Sequence, residues 1–458
     1  MSRVSSAVTM PDMFELGSMF SLVVLSATLA GVLSLFILRS IYYVLIHPLS
    51  KVPGPKLYSF WNLPYIYHLL RGNWPHKLKQ LHDQYGPVVR YTTDNRRLIS
   101  HAFSEKALRG QEYIMKRYID LFITKLTSKA RAGEVFDIVQ GLNFTTFDLI
   151  GDLAFGQSFG CLDAGGYHPW VAMIFDNVRL GVFSEALRRH PVLTHLKSLL
   201  LPRELVRSQQ QHWALSEQTA KKKLASGNVL REDFMSYILW TNDDEGMSPE
   251  EIVENANVLI VAGSETTATQ LSGTTFYLLR NPEKYEKLVQ EIRGSFETEE
   301  EINLLAVNGL EYMNAAFEEG FRMYPPIPFG LPRRREQSPI YIPDPPTSVA
   351  VAQWESYQSE SNFRNTSKFV PERWLGDPKY ANDVRGVLQP FSVGLRNCIG
   401  ENLAYAEMRL ILARLLWNFD LELMPESEDW NDQKIYVLWE KGAINVKLSP
   451  VKRESAGK

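Results

Sequence analysis

A single cysteine in the C-terminal part of the chain has the surroundings of a metal ligand. Cys398 lies in the segment 391–400, and the apolar spacing of residues 402–417 directly after it predicts a helix. The positive end of a helix dipole and the free backbone N–H groups of its first turn stabilise a thiolate, the form of cysteine that binds metal. This position therefore favours metal–thiolate chemistry.

Three neighbours of the cysteine support that interpretation. Gly394 permits a tight turn, and Gly400 permits the close approach of a planar group to the backbone. Arg396 adds a positive charge two residues from the sulfur. These residues leave two other interpretations open. One is a buried cysteine in a glycine-containing turn, and the other is a protease nucleophile, although no cysteine-protease signature surrounds it.

An acidic residue and a hydroxyl are adjacent in a second predicted helix. Glu265 and Thr266 belong to the segment 262–267, inside the helical pattern of residues 252–278. A carboxyl group beside a hydroxyl suits the delivery of protons to a reacting oxygen. Gly263 costs a helix about 1 kcal/mol relative to alanine, so we expect a kink or close packing to compensate.

A third pair of charges lies on one face of another predicted helix. Glu319 and Arg322 are three residues apart within residues 314–323, a spacing that brings their side chains together. By itself this spacing is also that of an ordinary surface ion pair.

The composition excludes several classes of protein. The 458 residues are 45% hydrophobic and 22% charged, which is typical of a globular protein and not of a collagen, a coiled coil or a disordered chain. The formal net charge of −3 lacks the basic excess of a nucleic-acid-binding protein. The two cysteines, Cys161 and Cys398, exclude a disulfide scaffold and a zinc site of three or four thiolates. No Gly-x-Gly-x-x-Gly fingerprint is present, so electrons for a redox reaction must come from a partner.

The elements that position these residues are mostly helical. Apolar residues at helical spacing predict helices over residues 96–128, 135–153, 232–240, 252–278, 282–296, 314–323 and 402–417. Strand-like segments are few, at residues 88–91, 347–352, 435–438 and 443–448. The pattern predicts a single-domain body that is mainly α with minor β structure.

The N-terminal region predicts a membrane anchor ahead of that body. Residues 16–38 carry no charge over a length sufficient for a transmembrane helix, and the basic residues after them place the rest of the chain in the cytosol. A cleaved signal peptide is the alternative. The predicted organisation is an N-terminal tail (1–15), a transmembrane anchor (16–38), a Pro-rich hinge (39–56), the main domain (57–450) and a C-terminal tail (451–458).

The cysteine segment, Phe-x-x-Gly-x-Arg-x-Cys-x-Gly over residues 391–400, resembles the haem-binding loop of cytochromes P450 at all five defining positions. The resemblance implies a cytochrome P450-like haem-thiolate fold that binds haem b (iron protoporphyrin IX), with Cys398 as the axial ligand of the iron. It also implies that Phe391 shields the sulfur and that Arg396 pairs with a haem propionate. The remaining cofactor-binding positions of the loop are Gly394 and Gly400.

The charged pair fits the same family. Arg373 lies in the segment 369–374, where members place a second arginine. The resemblance makes Glu319, Arg322 and Arg373 a buried structural triad, which is tolerable only if every charge is paired.

The acid–hydroxyl pair fits it as well. The resemblance places residues 262–267 across the distal face of the haem, with a local widening of the helix that makes room for dioxygen and water. It implies that Thr266 donates a hydrogen bond to dioxygen and that Glu265 relays protons from solvent, and these two residues are the catalytic pair.

One stretch departs from the family pattern. Members carry several dozen residues, including a roof over the substrate pocket, between segments that lie here at 85–90 and 96–103. We therefore predict an internal deletion near residues 90–96, in the B–C region. Without the roof, water is less well excluded from the distal face. Arg96 is retained and, like Arg333, is implied to meet a haem propionate.

The implied activity follows the resemblance, which is to fungal microsomal enzymes of secondary metabolism of the trichothecene C-15 hydroxylase type. Such an enzyme is a monooxygenase that inserts one oxygen atom of O2 into a lipophilic small molecule, such as a terpenoid or mycotoxin precursor. An isomerase or peroxide-using member is a second hypothesis, which the intact Glu265–Thr266 pair disfavours. A truncated, non-catalytic or haem-deficient member is a third, which the deletion favours.

The same resemblance implies partners and a pocket. Electrons would come from NADPH–cytochrome P450 reductase, with cytochrome b5 as an optional second donor, docking on the cysteine face near Lys368 and Arg385. The location would be the endoplasmic reticulum membrane, single-pass, with the catalytic domain cytosolic. The apolar candidates for the wall of the substrate pocket are Val258, Ala262, Thr267, Pro328, Phe329 and Val437.

Overall fold

The computed structural model describes residues 53–60, 63–85, 105–188, 201–226, 249–330, 333–334, 348–394 and 397–453, and residues 24–46 except 25, 29, 32, 36 and 39. The α-helices in these ranges are α1 Lys56–Phe60, α2 Leu63–Leu70, α3 Trp74–Tyr85, α4 Glu105–Ala132, α5 Ile138–Phe155, α6 Cys161–Ala164, α7 Pro169–Arg188, α8 Arg203–Ser226, α9 Pro249–Leu279, α10 Pro282–Ser295, α11 Leu304–Asn308, α12 Glu311–Met323, α13 Gln353–Tyr357 and α14 Glu401–Asn418. The strands are β1 Val135–Asp137, β2 Arg333–Arg334, β3 Ser348–Val349, β4 Phe419–Leu423 and β5 Asn445–Pro450. Single turns of other helix types are Tyr42–Ile46 (π) and Glu299–Glu301, Pro371–Leu375, Pro378–Tyr380, Arg385–Val387 and Pro425–Ser427 (3₁₀).

The mainly helical architecture is the one that the apolar spacing predicts. The predicted helices at 252–278, 282–296, 314–323 and 402–417 correspond to α9, α10, α12 and α14, each within three residues at both ends. The predicted segments 88–91 and 232–240, and the first part of 96–128, lie outside the described residues.

Three predicted elements are wrong in part. The helix predicted from residue 135 begins at Ile138, because residues 135–137 pair with β5 as β1 and the Asp137 carboxylate accepts the Val139 backbone N–H at 3.0 Å as the helix N-cap. The strand predicted over 435–438 is reduced to isolated bridges of Ile435, and the one predicted over 347–352 to β3.

The strand β4 was not predicted, and neither was the two-residue strand β2. β4 joins β5 and β1 in an antiparallel sheet of order β1–β5–β4. The signal was present, since Phe419 and Leu421 alternate with the exposed Asp420 and Glu422. The alternation directly follows the periodic apolar pattern of α14, which masks the change of period.

The main core is built around α5, which is buried along almost its whole length and packs against α4 and α9. α9 also packs against α14, the helix that follows Cys398. A smaller apolar cluster joins α1–α3 to α7, and Phe329 contacts both clusters.

The predicted membrane anchor is covered only in part. Among the residues that the structure describes, no helix combines the length and the apolar character needed to cross a membrane. Residues 16–23 of the predicted span lie outside the described residues.

Candidate active site

The cysteine loop is fixed by its own backbone. The Cys398 N–H donates to the Phe391 carbonyl oxygen at 2.7 Å, and Gly394 turns the chain with a φ of 82° that favours glycine. The Phe391 ring packs against Phe321 and Tyr405, with ring centroids 5.3 and 5.2 Å apart. The loop is therefore anchored on α12 and α14 while Cys398 itself is exposed.

Two features of this loop fit a planar metal cofactor. A Cβ at Gly400 would lie 3.9 Å from the Cys398 sulfur, so glycine keeps the space beside the sulfur open. The Cys398 thiol is also exposed, and a thiolate beside a helix N-terminus is a suitable soft ligand for a metal ion. The residues that surround Cys398 are thus compatible with a haem bound through sulfur.

The local electrostatics do not make a thiolate by themselves. Burial of the loop raises the pKa of the Cys398 thiol, the Gly400 N–H lowers it, and the Glu401 carboxylate raises it. The helix N-terminus therefore lowers the pKa of the thiol less than we expected. Burial outweighs its effect, and the acidic first residue of α14 opposes it further. A bound metal ion removes a thiol proton outright, so metal binding and deprotonation are coupled at this site. The second cysteine, Cys161, is buried, and burial raises its pKa to about 11.

The arginines assigned to the haem propionates are not placed. Arg96 and Arg396 lie outside the described residues, and for Arg333 only the backbone, in β2, is described. Their contacts with a propionate stay predictions.

The helix that carries the acid–hydroxyl pair is regular. α9 is continuous from Pro249 to Leu279, so the expected local widening is wrong. Gly263 instead allows close packing, because a Cβ there would lie 2.6 Å from the Ile150 Cδ1 atom of α5. Of the two explanations for this glycine, the structure confirms close packing.

Thr266 and Glu265 face different surroundings. The Thr266 hydroxyl donates to the Ala262 carbonyl oxygen at 2.5 Å and lies on the accessible side of α9. Glu265 is fully buried, and its Oε1 atom is 2.6 Å from the Lys441 Nζ atom and 3.2 Å from the Thr269 hydroxyl. A lysine from a distant segment therefore covers Glu265, and its role in relaying protons from solvent stays a prediction.

Lys441 is the residue that the sequence analysis missed. It is 176 positions from Glu265 in the chain, in a loop between Ile435 and β5 with no helical or strand period. No local signal marks such a partner, since only the folded chain brings the two together.

The charged residues of the triad do meet. Glu319 accepts from Arg322 at 2.8 and 3.0 Å, and its Oε2 atom is 2.9 Å from the Arg373 Nε atom. All three side chains are buried. Arg373 also pairs with Asp383, a fourth member that no motif indicated. Backbone carbonyl groups accept further guanidinium N–H groups of both arginines, and each charge has an opposite charge beside it as burial requires.

The six candidates for the pocket wall are not equivalent. Val258 and Ala262 are exposed on the same face of α9 as Thr266, whereas Thr267 is buried and donates to the Gly263 carbonyl oxygen at 3.1 Å. Pro328 is buried, Phe329 is half-buried and Val437 is 44% exposed. The structure therefore groups two of the six with Thr266 and sets Thr267 inside the core.

Comparisons with known proteins agree with this site. Residues 91–448 match the family model described as cytochrome P450. The chain is 38% identical to the cytochrome P450 monooxygenase aclL of Aspergillus oryzae, over 92% of this chain and 97% of that protein. It is 41% identical to the monooxygenase astA of Talaromyces wortmannii, and 38% identical to a trichothecene C-4 hydroxylase of Trichoderma arundinaceum, each over 90% of this chain and 94% of the relative. The chain belongs to the cytochrome P450 family.

The aligned lengths bear on the predicted deletion. The alignment with aclL has 479 positions, whereas 92% of 458 residues is about 421 residues. More than fifty gap positions therefore fall on this chain, which agrees with the loss of several dozen residues. The junction near residues 90–96 lies outside the described residues, so its place stays a prediction.

Proposed function

We propose that this chain is a haem-thiolate monooxygenase of fungal secondary metabolism that inserts one oxygen atom of O2 into a lipophilic terpenoid or mycotoxin precursor. The observation that carries the proposal is the exposed Cys398 thiol at the start of α14, a helix packed against α9 with its Glu265–Thr266 pair. The hydroxylases among the relatives support the reaction type. A truncated, non-catalytic member is not favoured, because both motifs are intact.

In this proposal the cofactor is haem b, and Cys398 is its protein ligand. Phe391 packs beside the loop and limits water at the sulfur, while Arg96, Arg333 and Arg396 would hold the propionates. The bound haem supplies the activation of dioxygen by electrons from outside the protein.

The residues of α9 control protons on the opposite face. The Thr266 hydroxyl is held in place by the hydrogen bond that it donates to the Ala262 carbonyl oxygen. The hydroxyl oxygen of Thr266 can still accept a hydrogen bond. The Glu265 Oε1 atom contacts Lys441 and Thr269. Its Oε2 atom has no hydrogen-bond partner within the described structure. Thr266 thus orients a hydroxyl toward the substrate face, and Glu265 holds the proton store behind it.

The proposal includes an electron donor and a membrane location. The donor would be NADPH–cytochrome P450 reductase, with cytochrome b5 as an optional second one, because the sequence has no dinucleotide fingerprint of its own. The uncharged run over residues 16–38 supports a single-pass anchor in the endoplasmic reticulum with a cytosolic catalytic domain.

The test is the carbon monoxide difference spectrum of the reduced full-length protein in microsomes. We expect the strongly red-shifted Soret band of a thiolate-ligated haem, and we expect Cys398→Ser to lose it. Cys161→Ser is the matched control and should keep it, because that thiol is buried away from the loop. Absence of bound haem in the wild-type protein would favour the truncated, haem-deficient alternative, and an unchanged spectrum in Cys398→Ser would reject this ligand.

A further inference from the structure

A cavity of about 300 Å³ lies on the side of Lys441 away from Glu265 and has no lining residue from α9. It is bounded by α5, α7 and the loop that precedes β5. Arg179 and Glu440 form an ion pair at its wall, and their side chains are 49% and 34% exposed, so this part of the wall is at the surface. Asn143, Tyr167 and Lys441 line its polar side.

Lys441 connects this cavity to Glu265. Glu265 is not among the lining residues, whereas Lys441 lines the cavity and its Nζ atom is 2.6 Å from the Glu265 Oε1 atom. The same Nζ atom donates to the Thr269 hydroxyl at 2.8 Å and to the Asn143 side-chain oxygen at 3.4 Å. The lysine therefore stands between solvent-accessible space and the buried carboxylate.

The buried Lys441 ammonium group has three polar partners, whereas a simple ion pair needs only the carboxylate. Its side chain is only 3% exposed, and burying an ammonium group costs several kcal/mol unless partners compensate. Burial lowers the pKa of Lys441, and the charges of Glu265 and Asp137 oppose that shift. A lysine with a lowered pKa gives up its proton more readily than an exposed one.

We propose that Lys441 is a positioning residue through which protons from the solvent-filled cavity reach Glu265. This inference rests on the proposed function for its role in turnover. The Lys441 ammonium gives one proton to the Glu265 carboxylate, which leaves an amine and a carboxylic acid. The carboxylic acid rotates and gives that proton to the Thr266 hydroxyl oxygen, which releases its own proton on the substrate side. The amine then takes a proton from water in the cavity. One proton has moved from solvent to the active site, and both residues have regained their charges.

The first test needs no turnover. In the full-length protein, Lys441→Ala leaves Glu265 buried without its cation, so the carboxyl group keeps a proton. Buried acids such as Glu355 hold a proton in every variant, so each spectrum is referenced to the wild type. We expect an additional infrared carbonyl band of a protonated carboxylic acid in Lys441→Ala, and we expect it to be missing in the Lys441→Ala/Glu265→Gln double variant. Methylammonium, which fits the cavity and replaces the lost amine, should remove the band. Lys447→Ala, at an exposed lysine of the following strand, is the matched control and should show no additional band relative to the wild type.

The second test separates proton transfer from charge. With haem and reductase, we expect Lys441→Ala to oxidise NADPH about ten-fold more slowly than the wild type, since general acid–base steps contribute at least that much. Methylammonium should restore the rate, whereas tetramethylammonium and Lys441→Arg should not, because neither releases a proton readily. Equal rescue by tetramethylammonium or full activity of Lys441→Arg would overturn the relay, as would a wild-type rate in Lys441→Ala. If the wild-type protein itself binds no haem, the proposed function fails, and the infrared result still decides the Lys441–Glu265 contact.

Discussion

Gly263 of α9 lies so close to Ile150 of α5 that an added Cβ would be 2.6 Å from the Ile150 Cδ1 atom. The two helices form the centre of the core, and α9 carries Glu265 and Thr266, so this contact sets the distance between α9 and the helix that supports it. The glycine is therefore a packing device in a regular helix.

Gly263→Ala should destabilise the protein. Overpacking a core usually costs about 1–3 kcal/mol, which exceeds the gain of about 1 kcal/mol in helix propensity. Urea unfolding measures the difference. Gly181→Ala in α7 is the matched control, because a Cβ there has nothing within 4 Å and should stabilise by about 0.4–1 kcal/mol. The same change in stability for both variants would contradict the packing role.

Glu319→Gln should be strongly destabilising. The substitution leaves Arg322 buried without its carboxylate partner, and breaking a buried ion pair costs about 3–5 kcal/mol. The measurement is chemical denaturation. Glu217→Gln removes an exposed ion pair with Lys221 and should change stability by less than about 0.5 kcal/mol. A small effect at Glu319 would mean that the remaining contacts of the arginines suffice.

Thr266→Ala should still bind haem, but it should couple NADPH oxidation less efficiently to oxidation of the substrate. Removing the hydroxyl interrupts proton delivery at the substrate face, so a larger share of NADPH electrons should appear as hydrogen peroxide. A peroxide assay with reductase present gives the share. Ser272→Ala removes a buried hydroxyl of the same helix, one that donates to the Ala268 carbonyl oxygen at 2.7 Å, and should leave the share unchanged. An unchanged share in Thr266→Ala would reject the assigned role.

Because of Glu355, the free energy of unfolding should fall as the pH rises from about 4.5 to 8. Burial raises the pKa of this carboxyl from 4.5 to about 8 in the folded protein. Between those values the unfolded chain releases the proton and the folded protein keeps it. The contribution to stability is therefore complete below pH 4.5 and is lost as the pH rises to about 8.

Glu355→Gln should remove that dependence. Relative to the wild type, its stability should rise by up to about 1.4 kcal/mol per pH unit over this window, which unfolding curves at several pH values measure. Glu360→Gln, at an exposed carboxylate three residues after α13, is the control and should follow the wild type. Parallel curves for wild type and Glu355→Gln would show that Glu355 does not keep its proton.

The sequence by itself determined the helical class, and it supplied the predictions for the metal ligand Cys398 and for the Glu265–Thr266 pair. The helices α9, α10, α12 and α14 follow from apolar spacing, because an α-helix has 3.6 residues per turn and its buried face repeats with that period. Cys398 is likewise identified by its immediate neighbours and by the helix that starts beyond it.

Tertiary structure decided which distant residues complete the site. β1 replaces the start of a predicted helix because β5, over 300 residues later, offers it backbone partners. Asp383 joins the triad, and Lys441 covers Glu265, through contacts that no local pattern encodes. A buried charge needs a partner, but its sequence position depends on where the chain returns, and only the packed fold settles that.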